Sequence, residues 1–458
     1  MNILAKFALL TSGAAAVCGA AAAQEDLLMQ DTIVIEGSRM NSMLANIEPE
    51  VSLDFAEIRS YGAESLEDLL ADLAPLTESS RGNGAPAVLL NGRRISGFRE
   101  IRNYPPEALA RVEILPEEVA LKFGFRADQK VINFVLRERF HALTGRSELG
   151  APTDGGQWLG ELDASNLRIR DDVRWNVDLD YEYQDALYES DRDIVNEDSA
   201  LTADRTLQPE KQEIELTGSY SHFLPADINA TYALGVDASK QKTAIVQSDL
   251  TETLDRDTDA WGADASFVLG KVYDDWNWSL NGGLSYSNTE TKTALDTITG
   301  FGERTEATSD EANLEGVAFF KLAELPAGDL ATTLKAGLGA YDLTTVSNSF
   351  GLVEKVELSR DQANAQINLD APLIDSEMAG QPFGSLSLGA NARVDDLSDA
   401  GALSTYGWGL TWRPTDILQI IASSSLTEDA PTLEELGAPV STNENARIFD
   451  FSTGQTIE

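Results

Sequence analysis

The side chains that usually carry acid–base or metal chemistry are scarce in this chain and poorly spaced for it. Only two histidines, His141 and His222, stand among 458 residues, so a histidine metal cluster or a Ser-His dyad has little to draw on. The single cysteine, Cys18, lies in an apolar N-terminal run. Once that run is removed, neither disulfides nor thiolate chemistry is available. Acidic pairs such as Glu117-Glu118 and Asp171-Asp172 are adjacent in sequence and read as solvated. Gly82-Asn83-Gly84 lacks the Lys-Ser/Thr of a phosphate-binding loop. Asp191, Asp193, Glu197 and Asp198 cluster in one polar stretch. A calcium site is one reading of them, and a solvated loop is the preferred one. The chain is therefore read as a non-enzyme, with no catalytic residues, no metal and no cofactor.

Residues suited to holding partners are easier to find. Asp31-Thr32-Ile33-Val34-Ile35-Glu36 is a short β-prone run in polar surroundings. Such a run can add as a strand to a partner's sheet edge, or be an ordinary first strand. Arg81-Gly82-Asn83-Gly84 forms a Gly-rich loop, by its residues alone a plain connection. Arg93, Arg94, Arg99 and Arg102 make a basic patch inside a chain of net charge −42. That acidity excludes nucleic acid, which needs a basic surface. A hydrophobic share of 42% excludes wholesale disorder.

These residues need elements to position them. Lys6 followed by the Ala-rich run Phe7 to Ala23 reads as a secretory signal peptide (1–23), being too short to span a membrane. Residues 24–60 form a leader. From Tyr61 to Ala74, Leu66, Leu69, Leu70 and Leu73 recur at helical spacing and predict one amphipathic helix ended by Pro75. Three apolar strand-like runs follow: Ala87 to Gly92, Ala110 to Leu115, and Lys130 to Leu136. Pro106-Glu107 suits a short helix between the first two. Pro116 to Gly124 suits another between the last two, closed by Gly124. This is a small α/β globule, residues 61–140.

From His141 to Glu458 the pattern has period two. Val173, Trp175, Val177, Leu179, Tyr181 and Tyr183 fall on one face, and Arg174, Asn176, Asp178, Asp180, Glu182 and Gln184 on the other. Trp276, Trp278, Leu280, Leu284 and Tyr286 repeat it, as do Leu386 to Val394 and Tyr406 to Trp412. A soluble sandwich core has no means of burying several charges per strand. A polar lumen does, with the aromatic face turned to lipid. Connections also alternate in length. Those near Arg168–Asp172, His222–Asn229, Lys271–Asp275, Ala323–Gly328 and Arg413–Asp416 are short. Those at Asp185–Gln212, Ser239–Ala260, Ser287–Asp310 and Asp342–Arg360 are long, as in outer-membrane barrels. No later apolar run is long enough for a membrane helix, so a membrane location requires a barrel. About 13–14 strands are expected against the roughly 22 of plugged transporters, so the barrel is read as incomplete and truncated at its C-terminus.

The order Val88-Leu89-Leu90-Asn91-Gly92, Val112-Glu113-Ile114-Leu115, Phe123-Gly124 and Val131-Ile132-Asn133-Phe134-Val135 resembles the plug domain of TonB-dependent outer-membrane receptors. Two positions depart from it: Pro116-Glu117-Glu118 stands where those plugs carry Arg-Gly-Pro, and Gln129-Lys130 where they carry Gly-Gly. The resemblance implies an all-β transmembrane barrel with a small N-terminal α/β plug, exported to the Gram-negative outer membrane. It implies that Asp31–Glu36 is a TonB-box-like segment for a periplasmic energising protein. It implies that Arg81–Gly84 lies at the plug apex against a ligand, and that the arginine patch pairs with acidic wall groups in preference to an anionic ligand. The function expected is energised uptake of a scarce ligand such as a siderophore, cobalamin or oligosaccharide. The alternative is a structural or adhesive barrel, or an inactive receptor fragment.

Overall fold

In the computed structural model, the structure describes residues 49–77, 86–115, 120, 123–125, 129–192, 205–246, 253–273, 276–295, 302–349, 351–375, 384–415, 418–437, 448–450 and 455–457. The signal run, Asp31–Glu36, Arg81–Gly84 and the acidic stretch from Asp193 to Asp198 lie outside the described residues.

The chain enters the globule earlier than position 61. Strand β1 (Val51–Asp54) pairs antiparallel with Arg111–Ile114, so part of the expected leader belongs to the globule's sheet. The single helix expected from Tyr61 to Ala74 is shorter, α2 (Leu66–Asp72), which carries the spaced leucines with Leu73 as its cap; α1 (Phe55–Tyr61) precedes it and α3 (Ala74–Thr77) follows. Capping sets these bounds. Asp54 accepts from the backbone N–H of Ala56 at 2.8 Å and of Glu57 at 2.9 Å, and Glu57 answers on the N–H of Asp54 at 2.8 Å. Gly62, at φ 72°, closes α1, a conformation that costs glycine nothing. Ser65 and Asp68 form a second capping box that restarts the helix.

A five-stranded mixed sheet follows, in the order β1-β4-β5-β2-β3, with β2 (Ala87–Leu90), β3 (Arg93–Arg94), β4 (Leu109–Leu115) and β5 (Val131–Leu136). A single 3₁₀ turn, Pro106–Ala108, leads into β4. Ile58, Leu66, Leu69, Leu73, Ile101, Tyr104, Ile114, Ile132 and Phe134 are fully buried between helices and sheet. Each aliphatic member contributes about 1.5–3 kcal/mol by leaving water. The polar letters of the strand motifs are structural. Asn133 donates to Glu113 at 2.7 Å and accepts from the N–H of Gly92 at 2.7 Å, which pins the Asn91-Gly92 turn.

The remainder is one 13-stranded antiparallel meander. It begins with β6 (Arg139–Gly150), β7 (Leu159–Arg170) and β8 (Val173–Gln184). A short pair, β9 (Leu187–Tyr188) and β10 (Thr206–Gln208), stands apart from that sheet. The sheet resumes with β11 (Glu210–Leu224), β12 (Ile228–Val246), β13 (Thr253–Val272), β14 (Trp276–Leu295), β15 (Gly302–Leu325) and β16 (Gly328–Ser349). It ends with β17 (Leu352–Ile374), β18 (Ser385–Leu397), β19 (Gly401–Thr415) and β20 (Leu418–Thr427). Each strand pairs with its sequence neighbour in this list; among the described residues β6 and β20 pair on one side only.

Three connections expected to be long are mostly strand. β12 and β13 pair from Val246↔Thr253 downward, β14 and β15 from Ala294↔Gly302, and β16 and β17 from Ser349↔Leu352. Their outer halves are polar on both faces, as in Lys240-Gln241-Lys242-Thr243, so apolar alternation stops while the backbone ladder continues. No described helix is long and apolar enough to cross a membrane.

The expected faces hold. On β8, Val177, Leu179 and Tyr181 are exposed, while Arg174, Asn176 and Asp178 are buried. Outward aromatics meet at two levels: Tyr273 stacks on Trp276 at 4.4 Å, and Trp261 meets Tyr286 at 4.7 Å. Trp276 and Tyr286 bound one strand segment. At about 3.4 Å per residue and a tilt near 40°, that segment rises about 25 Å, the height of a bilayer-facing apolar band.

Candidate functional site: the lumenal wall and the globule seated against it

The globule meets the charged face of the sheet, and its arginines make the principal contacts. Arg99 donates to Glu215 on β11 and, at 2.6 Å, to Asp264 on β13; Asp237 on β12 stands 3.5 Å away. Arg102 donates to Glu215 at 2.7 Å, with Asp180 on β8 at 3.5 Å. Arg94 donates to Glu315 on β15 at 3.1 Å and lies over Phe125. Lys335 on β16 closes on the other oxygen of Glu315 at 2.5 Å. Burial opposes the charge of Arg99 and Arg102, but hydrogen bonds and charge from Glu215 outweigh it and hold both guanidinium groups above their ordinary range. Burial prevails at Arg94 and lowers it. Three of the four arginines thus pair with wall acids, as the sequence led us to expect, while Arg93 lies over the Phe223 ring at 4.9 Å.

A more deeply buried knot was not legible in the sequence. Arg174 donates to Glu100, whose other oxygen accepts from Ser96 Oγ at 2.8 Å. Tyr104, fully buried, donates its phenol proton to Asn176 at 3.0 Å, and Ser219 donates to the same oxygen. Burial pushes the Tyr104 phenol up to about 12. Glu100 sits in an otherwise basic run, and Tyr104 precedes two prolines; only the inward parity of Arg174 and Asn176 hinted at their role.

Directly paired residues share a face. One lumenal row therefore carries Glu148↔Glu161↔Glu182↔Glu213 across β6, β7, β8 and β11. Arg146 reaches Glu161 at 2.5 Å and Asp163 at 2.7 Å, and Lys211 reaches Glu213 at 2.7 Å and Glu182 at 3.2 Å. Two cations facing this many acids leave the arc negative. At the outer end of β16 and β17, helix α4 (Leu433–Gly437) packs inward: a Cβ on Gly437 would lie 2.8 Å from Leu358 and 3.0 Å from Leu343. Arg360 ties that segment down. It donates to the carbonyl of Pro431 at 2.9 Å and to both oxygens of Asp399 at 2.7 and 2.6 Å.

No family model matches the sequence, and no curated protein matches it. Solved structures match the fold. A point mutant of the ferric enterobactin receptor PfeA from Pseudomonas aeruginosa aligns with TM-score 0.54 at 12% identity, over 88% of this chain and 64% of that one. A PfeA mutant in complex with enterobactin gives 0.53 at 13%, over 85% and 64%. The siderophore receptor PirA from the same organism gives 0.47 at 14%, over 84% and 62%. The chain thus spans less than two thirds of the length of these receptors. The fold is that of TonB-dependent outer-membrane receptors: an antiparallel transmembrane barrel wall with a small α/β plug at its N-terminal end.

Proposed function

We propose that the chain acts as an outer-membrane receptor whose plug is displaced by a periplasmic energising protein during uptake of a scarce ligand. In this reading residues 1–23 are a signal peptide, 24–48 the leader, 49–138 the plug and 139–458 the barrel. Asp31, Thr32, Ile33, Val34, Ile35 and Glu36 add as a strand to a TonB-type partner. Arg81, Gly82, Asn83 and Gly84 contact ligand at the plug apex. No step calls for a catalytic group.

The observation that carries the reading is the join between plug and wall. It consists mainly of ion pairs and hydrogen bonds from Arg94, Arg99, Arg102, Glu100 and Tyr104, beside one apolar contact in which Leu167 and Ile169 of β7 pack into the plug's core cluster. A join built mostly of polar pairs is one that force and water can open without unfolding either side. Ligand binding alone moves no plug; the partner must supply the difference between seated and displaced states. The test is a pull-down of the full-length protein on a TonB-type periplasmic domain. Retention that disappears with Ile33→Pro, which removes a strand donor, is expected; no retention of the unaltered protein would favour a structural barrel.

A further inference from the structure

We infer that the lumenal face of β15–β17 is a binding wall for a neutral, polyhydroxylated ligand, an oligosaccharide rather than an anionic ferric chelate. The inference deepens the receptor reading above and rests on it. It begins with an aromatic ring that reaches over a glycine. A Cβ on Gly339 would lie 2.7 Å from Cε2 of Tyr341 and 2.9 Å from its phenol oxygen. The hydroxyl end of the ring therefore reaches back along its own strand over a position with no side chain, and Tyr341 stays partly exposed. A positioned aromatic ring is what the apolar C–H face of a pyranose stacks on.

Amides surround it. Asn313 is paired across from Gly339, and Gln362 sits opposite Gly339 on the other side. One row inward, Asn364 pairs with Gly337, where a Cβ would lie 2.8 Å from the Asn364 amide nitrogen. Glycine again lets the planar group lie against the wall. The exposed Asn313 amide offers donors and an acceptor without charge, which matches a hydroxyl that both gives and accepts. Among the described residues, neither the Tyr341 phenol nor the Asn313 amide hydrogen-bonds to another side chain, and Asn313 is exposed. The charges nearby close on one another: Arg393 donates twice to Asp395 at 2.7 and 2.6 Å, and Gln362 donates to the same carboxylate at 2.9 Å. Glu311, directly across from Tyr341, adds an acceptor. Helix α4 roofs the wall one step outward, on Leu343 and Leu358.

Charge decides between ligand classes. The arc of β6, β7, β8 and β11 in the same sheet carries the paired row Glu148, Glu161, Glu182 and Glu213, and a lumen lined by one sign repels solutes of that sign. An anionic chelate entering this bore meets that field; a neutral glycan does not.

The test is calorimetric titration of the purified full-length protein with maltoheptaose, cellohexaose and xylohexaose, and separately with ferric enterobactin. At least one neutral oligosaccharide should bind. Its affinity should fall about tenfold or more with Tyr341→Ala, as for loss of a central aromatic anchor. Tyr341→Phe, which keeps the stacking face, should retain most of it. Gly339→Ala, which lifts the ring without removing it, should fall between the two, and heat-modifiable mobility confirms that each variant is folded. Binding of none of the three sugars overturns the inference, as does ferric enterobactin binding in their place. The titration uses no energising partner, so failure here with retention on the TonB-type domain removes the ligand class and leaves the receptor reading standing.

Discussion

The inside of the plug and its outer surface are built on opposite principles. Inside, Ile58, Leu66, Leu69, Ile114 and Phe134 leave no water and few polar atoms, and the polar ones (Asn133, Glu113 and the Gly92 N–H) satisfy each other. Outside, the surface that meets the wall is chiefly a set of charged and hydrogen-bonding groups aimed at β8, β11, β13 and β15, with one apolar patch on Leu167 and Ile169 of β7. The first arrangement makes a body that holds its shape. The second makes a seat that is specific in register but built from bonds water can replace. The difference teaches that cohesion of the plug and adhesion of the plug are separately tunable, and each variant below should shift one and spare the other.

The largest effect is expected at the buried knot. Glu100→Ala leaves Arg174 unpaired in a nearly closed site, which costs about 3–5 kcal/mol. Seating should fail first, measured as faster labelling of a cysteine at Ser221 in mild urea. Replacing both partners, with Glu100→Leu and Arg174→Met, should restore most of it. Leu69→Ala attacks cohesion instead, at about 2–5 kcal/mol, and should appear as protease cleavage within the plug. Asn133→Ala strands the Gly92 N–H and the Glu113 carboxylate, at about 1–3 kcal/mol, again on the cohesion side. Arg99→Ala should cost only about 1 kcal/mol despite three acidic partners, because over a third of its side chain is exposed and water screens it; an effect as large as that of Glu100→Ala would erase the distinction between knot and rim. Tyr104→Phe should be the mildest at neutral pH, about 1 kcal/mol. The wild-type phenol titrates near 10.0 when unfolded and about 12 when seated. Its contribution is present below 10.0 and lost as pH rises toward about 12. Urea midpoints for seating should fall across that window in the wild type, and should not do so through this group in Tyr104→Phe.

Much of this was legible from residues. The alternation on β8 placed Arg174, Asn176 and Asp178 inward because period two survives wherever the two faces of a sheet meet different surroundings. The plug's strands were legible because burial on both sides makes short apolar runs. Strand extent beyond the aromatic belt was not, since Lys240 to Thr243 and Thr289 to Leu295 lose their apolar face while keeping their ladder. The leucines gave α2 but not its start, since none lies before Leu66; Gly62 and the cap Ser65 were the signal to weigh, as Asp54 was for α1. The seat itself joins residues 72 to 221 positions apart, such as Tyr104 with Asn176 and Arg94 with Glu315. No local pattern specifies such pairs, although the excess of arginine in the plug over an acidic chain gave their sign.

The central claim is that the charged face of the sheet encloses the plug while the aromatic face meets lipid. A cysteine scan along β8, from Val173 to Gln184, tests it most directly, Cys18 being the sole native cysteine. With the protein in bilayers, odd positions from Val173 to Tyr181 should be quenched by brominated lipid. Arg174, Asn176 and Asp178 should resist both lipid and aqueous probes until urea unseats the plug, and then react with the aqueous one. Uniform labelling along the strand, or aqueous reactivity on the Trp175 and Val177 side, would contradict it.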